Sequence, residues 1–244
     1  MCGIAGYVGK TPNPSECLAK MAQAINHRGP DNKGIWSDEK ADIGLAHTRL
    51  SILDLSSAGN QPMHSTSKNY VIVFNGEIYN HNELRSELEL INNRNWLGHS
   101  DTETLLAAIE EWGLEKTLIK SKGMFALALW DKNSKNLSIA CDRIGEKPLY
   151  YGWIKEQFVF GSELKSIKKF PEFNNPIDRD SLALFLRFNS IPAPHSIYKD
   201  IFKLEPGQII QIHADSKKIK KHNYWSTEYV YKKGHMAQFS FTPS

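Results

Sequence analysis

Seven consecutive residues, Met124-Phe125-Ala126-Leu127-Ala128-Leu129-Trp130, constrain the fold of this 244-residue chain more than any other stretch. Successive side chains of a strand point to opposite faces, and here both faces are apolar. A strand at this position must therefore be covered on both sides, which excludes a sheet with one face in water. Asp131-Lys132-Asn133-Ser134 supplies a turn into a second apolar run at 137–141.

Further strand-like pieces lie at 4–8, 34–36, 43–50, 70–74 and 158–160, several bounded by Gly, Asn, Asp or Ser. The first is glycine-rich, which lets another backbone or a ligand come close. Helical spacing starts after Asn13-Pro14 with Glu16, read as an N-cap, a first-turn proline and a capping-box acid. Leu18, Met21, Ala22 and Ile25 then recur on one face, and His27-Arg28-Gly29-Pro30-Asp31 closes the segment in a turn. Helices are also expected at 81–90, at 101–112 with Leu105, Ala108, Ile109 and Trp112 on one face, and at 179–188. Ile191-Pro192-Ala193-Pro194 is a stiff connection. A last hairpin spans 208–213 and 218–224, and after Trp225 the pattern dissolves into a polar and aromatic tail. Antiparallel sheet with helices outside it makes a layered α+β fold.

Composition narrows the function classes. With 41% hydrophobic and 23% charged residues the chain can bury roughly 70% of its unfolded surface, as one large domain or one domain plus a fragment. A net charge of +3 is too mild to imply nucleic acid, and Lys217, Lys218, Lys220 and Lys221 read as a solvated strand face. Three cysteines, Cys2, Cys17 and Cys141, without a CxxC pair suggest neither a disulfide framework nor a thiolate zinc site, and fit a reducing cytoplasm. No apolar run approaches a membrane span, and no secretory signal is expected.

The chemistry is expected at the amino end. If Met1 is removed, Cys2 carries a thiol and a free α-amine on one residue. That amine, with an ordinary pKa of about 7.7–8.0, is partly neutral near physiological pH and can take the thiol proton. The plainer alternative is a small apolar residue opening the first strand. Asn75-Gly76-Glu77 follows the apolar run 70–74. A side-chain amide and a glycine N–H held at a strand terminus can stabilise an oxyanion, whereas Asn-Gly by itself favours a turn. Arg49 can hold a carboxylate through two parallel hydrogen bonds, with loop backbone groups beside it. Asp101 is either a first-turn acid or cap of its helix, or, with Glu77, a receiver for an ammonium group. Together these side chains suit the zwitterionic end of a free amino acid.

Several motifs then occur in an order that resembles class II glutamine amidotransferases. They are Met1-Cys2-Gly3-Ile4, His27-Arg28-Gly29-Pro30-Asp31, Ala46-His47-Thr48-Arg49-Leu50-Ser51-Ile52, Phe74-Asn75-Gly76-Glu77-Ile78-Tyr79-Asn80 and Ser100-Asp101-Thr102-Glu103. Gly123-Met124-Phe125-Ala126, Asp142-Arg143-Ile144-Gly145 with Lys147-Pro148-Leu149-Tyr150-Tyr151, and Phe160-Gly161-Ser162-Glu163-Leu164-Lys165 continue the series. Within that family the chain is most similar to the amino-terminal glutaminase half of glutamine-hydrolysing asparagine synthetases.

The resemblance implies a four-layer αββα sandwich of the N-terminal nucleophile hydrolase type, with L-glutamine as substrate. It implies Cys2 as nucleophile and its amine as base, and Asn75 and Gly76 as the oxyanion hole. It further implies Arg49 as carboxylate ligand, Leu50, Ser51, Ile52 and Leu53 as a contacting loop, and Glu77 and Asp101 at the amino end. No metal or cofactor is expected for this half; ATP and Mg belong to a synthetase half. Residues 2–213 are expected to form the glutaminase domain, and 214–244 a final hairpin strand and tail leading toward a synthetase domain. That domain is expected to be absent from these residues, since no Ser-Gly-Gly-x-Asp-Ser pyrophosphate loop occurs in them. The ammonia acceptor is then a separate domain or chain. Alternatives are a glutaminase subunit serving sugar or cell-envelope amidation, and an inactive glutamine-binding module that keeps Met1.

Overall fold

The two-faced strand sits where its composition requires. In the computed structural model, which describes residues 1–236, Gly123–Asp131 turns Ala126, Ala128 and Trp130 toward a second sheet and Phe125, Leu127 and Leu129 toward helices. All six are 3% exposed or less, and each larger side chain so buried contributes about 1.5–3 kcal/mol.

In chain order the elements are β1 (Gly3–Val8), α1 (Pro14–Ala24), β2 (Asn32–Asp38), β3 (Ile43–Arg49), β4 (Met63–His64), β5 (Tyr70–Ile78), α2 (His81–Ile91), α3 (Asp101–Trp112) and α4 (Leu114–Lys120). There follow β6 (Gly123–Asp131), β7 (Asn136–Cys141), β8 (Tyr150–Ile154), β9 (Gln157–Gly161), α5 (Leu164–Ile167), α6 (Arg179–Phe188), β10 (Ile201–Lys203), β11 (Gln208–His213), β12 (Ile219–Asn223) and α7 (Thr227–Met236). Two six-stranded antiparallel sheets result, ordered β10-β8-β9-β1-β3-β2 and β12-β11-β7-β6-β5-β4. Ile4, Val8, Leu45, Val71, Val73, Ile139, Phe158 and Phe160 join β6 in the core between them. Helix α1 covers the outer face of the first sheet through Leu18, Met21 and Ala22, joined by Ile25 just past its end, and α3 and α4 cover the second through Leu105, Leu106, Ile109 and Leu118. The expected αββα sandwich is therefore present.

The glycine-rich start of β1 has the expected use. A Cβ on Gly6 would lie 2.4 Å from the Gly44 carbonyl oxygen and 2.6 Å from the Phe160 ring, so the bare backbone lets that ring fill the sandwich. Asn13 and Pro14 do open α1, but the Asn13 side chain caps no backbone amide; it donates to Glu16 Oε2 at 3.2 Å.

Two expectations are corrected. The strand expected at 70–74 runs on to Ile78, because its ladder with β6 continues in register through Asn75↔Ala126 and Gly76↔Phe125 to Ile78↔Gly123. Asn75-Gly76 is thus neither a turn nor a strand terminus. The segment after Trp225 does not dissolve: residues 227–236 form α7, a helix with no buried residue, in which Lys232 pairs with Glu228 at 2.5 Å. The remainder of the expected tail, residues 237–244, lies outside the described residues. The short elements β4, β8, β10, α4 and α5 carry too little periodicity to read in advance. Among the described residues no helix is long and apolar enough to cross a membrane.

Candidate active site

Cys2 stands immediately before β1, which lies between β3 and β9, and the pair Gly3↔Thr48 brings it beside Arg49 and Leu50. Its Sγ receives the Leu50 N–H at 3.4 Å and lies 3.6 Å from the Leu50 carbonyl oxygen. Arg28 Nε donates to the Cys2 carbonyl at 2.9 Å, and its Nη1 is held by Glu163 at 3.1 Å. The Cys2 backbone is thereby clamped from the turn after α1. Burial pushes the Cys2 thiol up, opposed by the Leu50 hydrogen bond and by the positive charges of the amino terminus and Arg49. A thiol raised in this way needs a base to become a nucleophile.

Across a cavity of ≈ 90 Å³ from Cys2 lies the free edge of β5. Strand β4 covers that edge only as far as Met63↔Ile72. Beyond it, side chains replace a partner strand. Gln61 Oε1 accepts from Phe74 N–H at 2.6 Å, His47 Nε2 lies 3.1 Å from the Phe74 carbonyl oxygen, and Asp101 Oδ2 accepts from Ile78 N–H at 2.9 Å. Amides alternate between the two edges of a strand, so Gly76 N–H lies on this same edge, between those of Phe74 and Ile78. None of the described side-chain hydrogen bonds uses it. The Asn75 side chain is 1% exposed, and both its amide nitrogen and its amide oxygen are buried without a partner. Buried polar groups are rarely left so, and here both residues line the cavity. Gly76 is required for a packing reason as well. A Cβ there would lie 2.2 Å from the Met124 carbonyl oxygen and 2.6 Å from Phe125 Cα, forcing β5 away from β6.

At the other end, Arg49 is 7% exposed and already partly engaged. Its Nη1 donates to the Ser56 carbonyl and to Asn60 Oδ1, both at 2.7 Å, and its Nη2 donates to the Asp54 carbonyl. A guanidinium has five donors, so Nε–H and one Nη2–H remain, the side-on pair that suits a carboxylate. Asp54 is held in turn by Ser56 and by the His99 amide at 2.8 Å, which bring its carboxyl down to about 2. Asp101 is not the helix cap. Ser100 caps α3 by accepting from Glu103 N–H at 3.2 Å, and Asp101 is the first helical residue. Burial raises its carboxyl, the neighbouring Glu77 adds to that, and the Ile78 amide opposes it. A bound ammonium group would relieve the buried charge.

Cys2, Arg49, Leu50, Ile52, Leu53, Asn75, Gly76, Glu77 and Asp101 all line the one cavity. Ser51 does not; its N–H is bound by Asp31 Oδ2 at 2.8 Å, which orients the loop around it. His47 is fully buried beneath the site. Its Nε2–H must donate to the Phe74 carbonyl, which leaves Nδ1 without a partner, and burial lowers the imidazole to about 4. Gln61 and Lys147 also line the cavity, and neither was expected there. Lys147 belongs to the run Lys147-Pro148-Leu149-Tyr150-Tyr151, but no sequence signal ties it to Cys2. A larger hollow of ≈ 700 Å³ between residues 92–97 and α3 contains none of these groups. Among the described residues no group of three or more His, Cys, Asp or Glu side chains is placed to hold a metal ion.

A family model described as a glutamine amidotransferase domain matches residues 1–225. The chain belongs to this family. The amidotransferase domain is 39% identical over 220 residues to asparagine synthetase [glutamine-hydrolyzing] 1 of Bacillus subtilis, covering 88% of this chain and 34% of that protein. It is 34% identical over 239 residues to asparagine synthetase [glutamine-hydrolyzing] 3 of the same organism, covering 93% and 37%. The chain thus spans less than half the length of the curated relatives it matches. Among solved structures, the glutamine phosphoribosylpyrophosphate amidotransferase of B. subtilis superposes with a TM-score of 0.67 at 18% identity, over 92% of this chain and 49% of that one. At that identity the likeness speaks for the fold alone, and it agrees with the two-sheet sandwich described above.

Proposed function

We propose that this amidotransferase domain hydrolyses the side-chain amide of L-glutamine to glutamate and ammonia, and that the ammonia serves amide formation on an activated aspartate in a synthetase part. The observation that carries the reading is the unpartnered Asn75 amide beside the free Gly76 N–H, facing Cys2 across the cavity. Donors held in advance where negative charge will develop are the largest single source of catalysis in acyl transfer.

In this reading Met1 is removed and the Cys2 amine takes the thiol proton. The thiolate attacks the amide carbon, and the oxyanion is held by Asn75 Nδ2 and Gly76 N–H. The amine returns its proton to the departing nitrogen, ammonia leaves, and water attacks the γ-glutamyl thioester to release glutamate and restore the thiol. Arg49 binds the substrate carboxylate through its remaining donors, and Asp101 with Glu77 faces the ammonium group. The chemistry uses this chain's own groups; ATP and Mg would act in the synthetase part. Relatives named asparagine synthetases favour aspartate over another acceptor. The free thiols Cys2, Cys17 and Cys141 suit a reducing compartment such as the cytoplasm.

The test is intact mass before and after a diazo-oxo-norleucine, together with glutamate release. Loss of Met1, a single adduct on Cys2 and glutamine-dependent glutamate formation are expected. Glutamine binding by a chain that keeps Met1 and releases no ammonia would overturn the reading.

A further inference from the structure

Lys147 is 6% exposed, yet among the described residues no carboxylate lies within salt-bridge distance of it. Its Nζ meets the Met1 thioether at 3.2 Å, and both residues line the cavity with Cys2. A buried ammonium facing a weak sulfur acceptor is costly, and an apolar residue of similar size would pack there at no such cost. Met1 Sδ is five covalent bonds from the Cys2 nitrogen, so Lys147 Nζ lies within roughly 9 Å of that nitrogen by standard bond geometry. Once Met1 is removed, as the proposed glutaminase reading requires, that nitrogen is the α-amine and the ammonium has lost its contact.

We infer that Lys147 is a positioning residue for the nucleophile, whose buried positive charge holds down the proton affinity of the Cys2 α-amine and so keeps it a free base at neutral pH. Like charges in one pocket disfavour each other's protonated form, and in a partly buried site at this separation the effect is about one pH unit. The other charged groups facing Cys2 do not supply the same bias. Arg49 from β3 is outweighed by the carboxylates of Asp54 after it, Asp101 from α3 and Glu77 from β5, Arg28 is neutralised by Glu163, and His47 is uncharged near neutrality. Among the described residues Lys147, from the loop before β8, is the cavity cation whose charge no oxygen acceptor holds, whereas Arg49 is bound by Ser56, Asn60 and Asp54.

The experiment is the pH dependence of glutaminase kcat/KM for the Met1-free protein, Lys147→Met and Lys147→Arg. Alongside it runs the pH dependence of Cys2 α-amine acetylation by acetic anhydride, read on the amino-terminal peptide by mass spectrometry. For Lys147→Met, the acid limb of kcat/KM and the acetylation midpoint should both move up by about one pH unit, giving a fall approaching tenfold at pH 6 and none at pH 9. Lys147→Arg should restore both. A limb and midpoint that do not move, or a loss equal at every pH, would overturn the inference. Acetylation needs no turnover, so it decides about Lys147 even if the wild-type chain releases no glutamate, an outcome that would count against the glutaminase reading alone.

Discussion

Replacing Asn75 by Ala should separate activity from stability. Both polar atoms of its side chain are buried and unpartnered in the free protein. Each such atom costs the folded state on the order of 1–3 kcal/mol, so truncation relieves a penalty instead of breaking a bond. Against this stands the void left by three heavy atoms, about 1 kcal/mol at ~24 cal/mol per Å³. The two effects nearly cancel, and the unfolding free energy should stay within about 1 kcal/mol of wild type. In the proposed reaction the same amide meets an oxyanion, and loss of one such donor costs about 10²–10³ in kcat, or about 2.7–4 kcal/mol of barrier. Urea denaturation and glutamate release on one Asn75→Ala preparation measure both quantities. KM should barely change, because the donor acts only when charge develops. A variant destabilised by more than about 2 kcal/mol that keeps more than a tenth of wild-type kcat would refute the reasoning, for Asn75 would then be a structural anchor.

Gly76→Ala should damage both properties: its methyl meets the β6 backbone at 2.2 Å from the Met124 carbonyl oxygen, so a lowered urea midpoint is expected together with lost kcat. Arg49→Lys keeps the charge but cannot serve Ser56, Asn60 and Asp54 at once, and the unserved buried acceptors should cost about 2–4 kcal/mol in denaturation, with KM for glutamine rising at least about tenfold. His47 gives a pH signature. Its folded-state pKa of about 4 lies below the ordinary value near 6.5, so the unfolded chain binds the proton first and stability is lost as pH falls from about 6.5 toward 4. Denaturation across that window should show about 3 kcal/mol less acid destabilisation in His47→Gln, and an identical slope in the two proteins would mean that the imidazole is not held neutral.

Much of the site was legible because its chemistry is written in residue types. A thiol at position two, a bidentate cation in Arg49, carboxylates in Glu77 and Asp101 and the pair Asn75-Gly76 each suit one end of an amino-acid amide. Asn75-Gly76 nonetheless reads locally as a strand end or a turn, and it is neither. Local propensity favours a turn for Asn-Gly, and what overrides it is the register with β6, set by residues about fifty positions away in the chain. Lys147 is not legible as part of the site for the same kind of reason: nothing near it in sequence says that a thiol lines the same cavity.

By itself, then, the sequence determined the layers and the reagents. The two apolar faces of β6 demanded cover on both sides, and Cys2, Arg49, Asn75 and Asp101 carry their functional groups wherever the chain places them. Tertiary structure alone decided which backbone amides stay free. Strand β4 stops at the Met63↔Ile72 pair, Gln61 and Asp101 take the β5 amides on either side, and Gly76 N–H is left to face the cavity with the Asn75 amide. Hydrogen-bond vacancy depends on which strands end where, and that is a property of the assembled sheet.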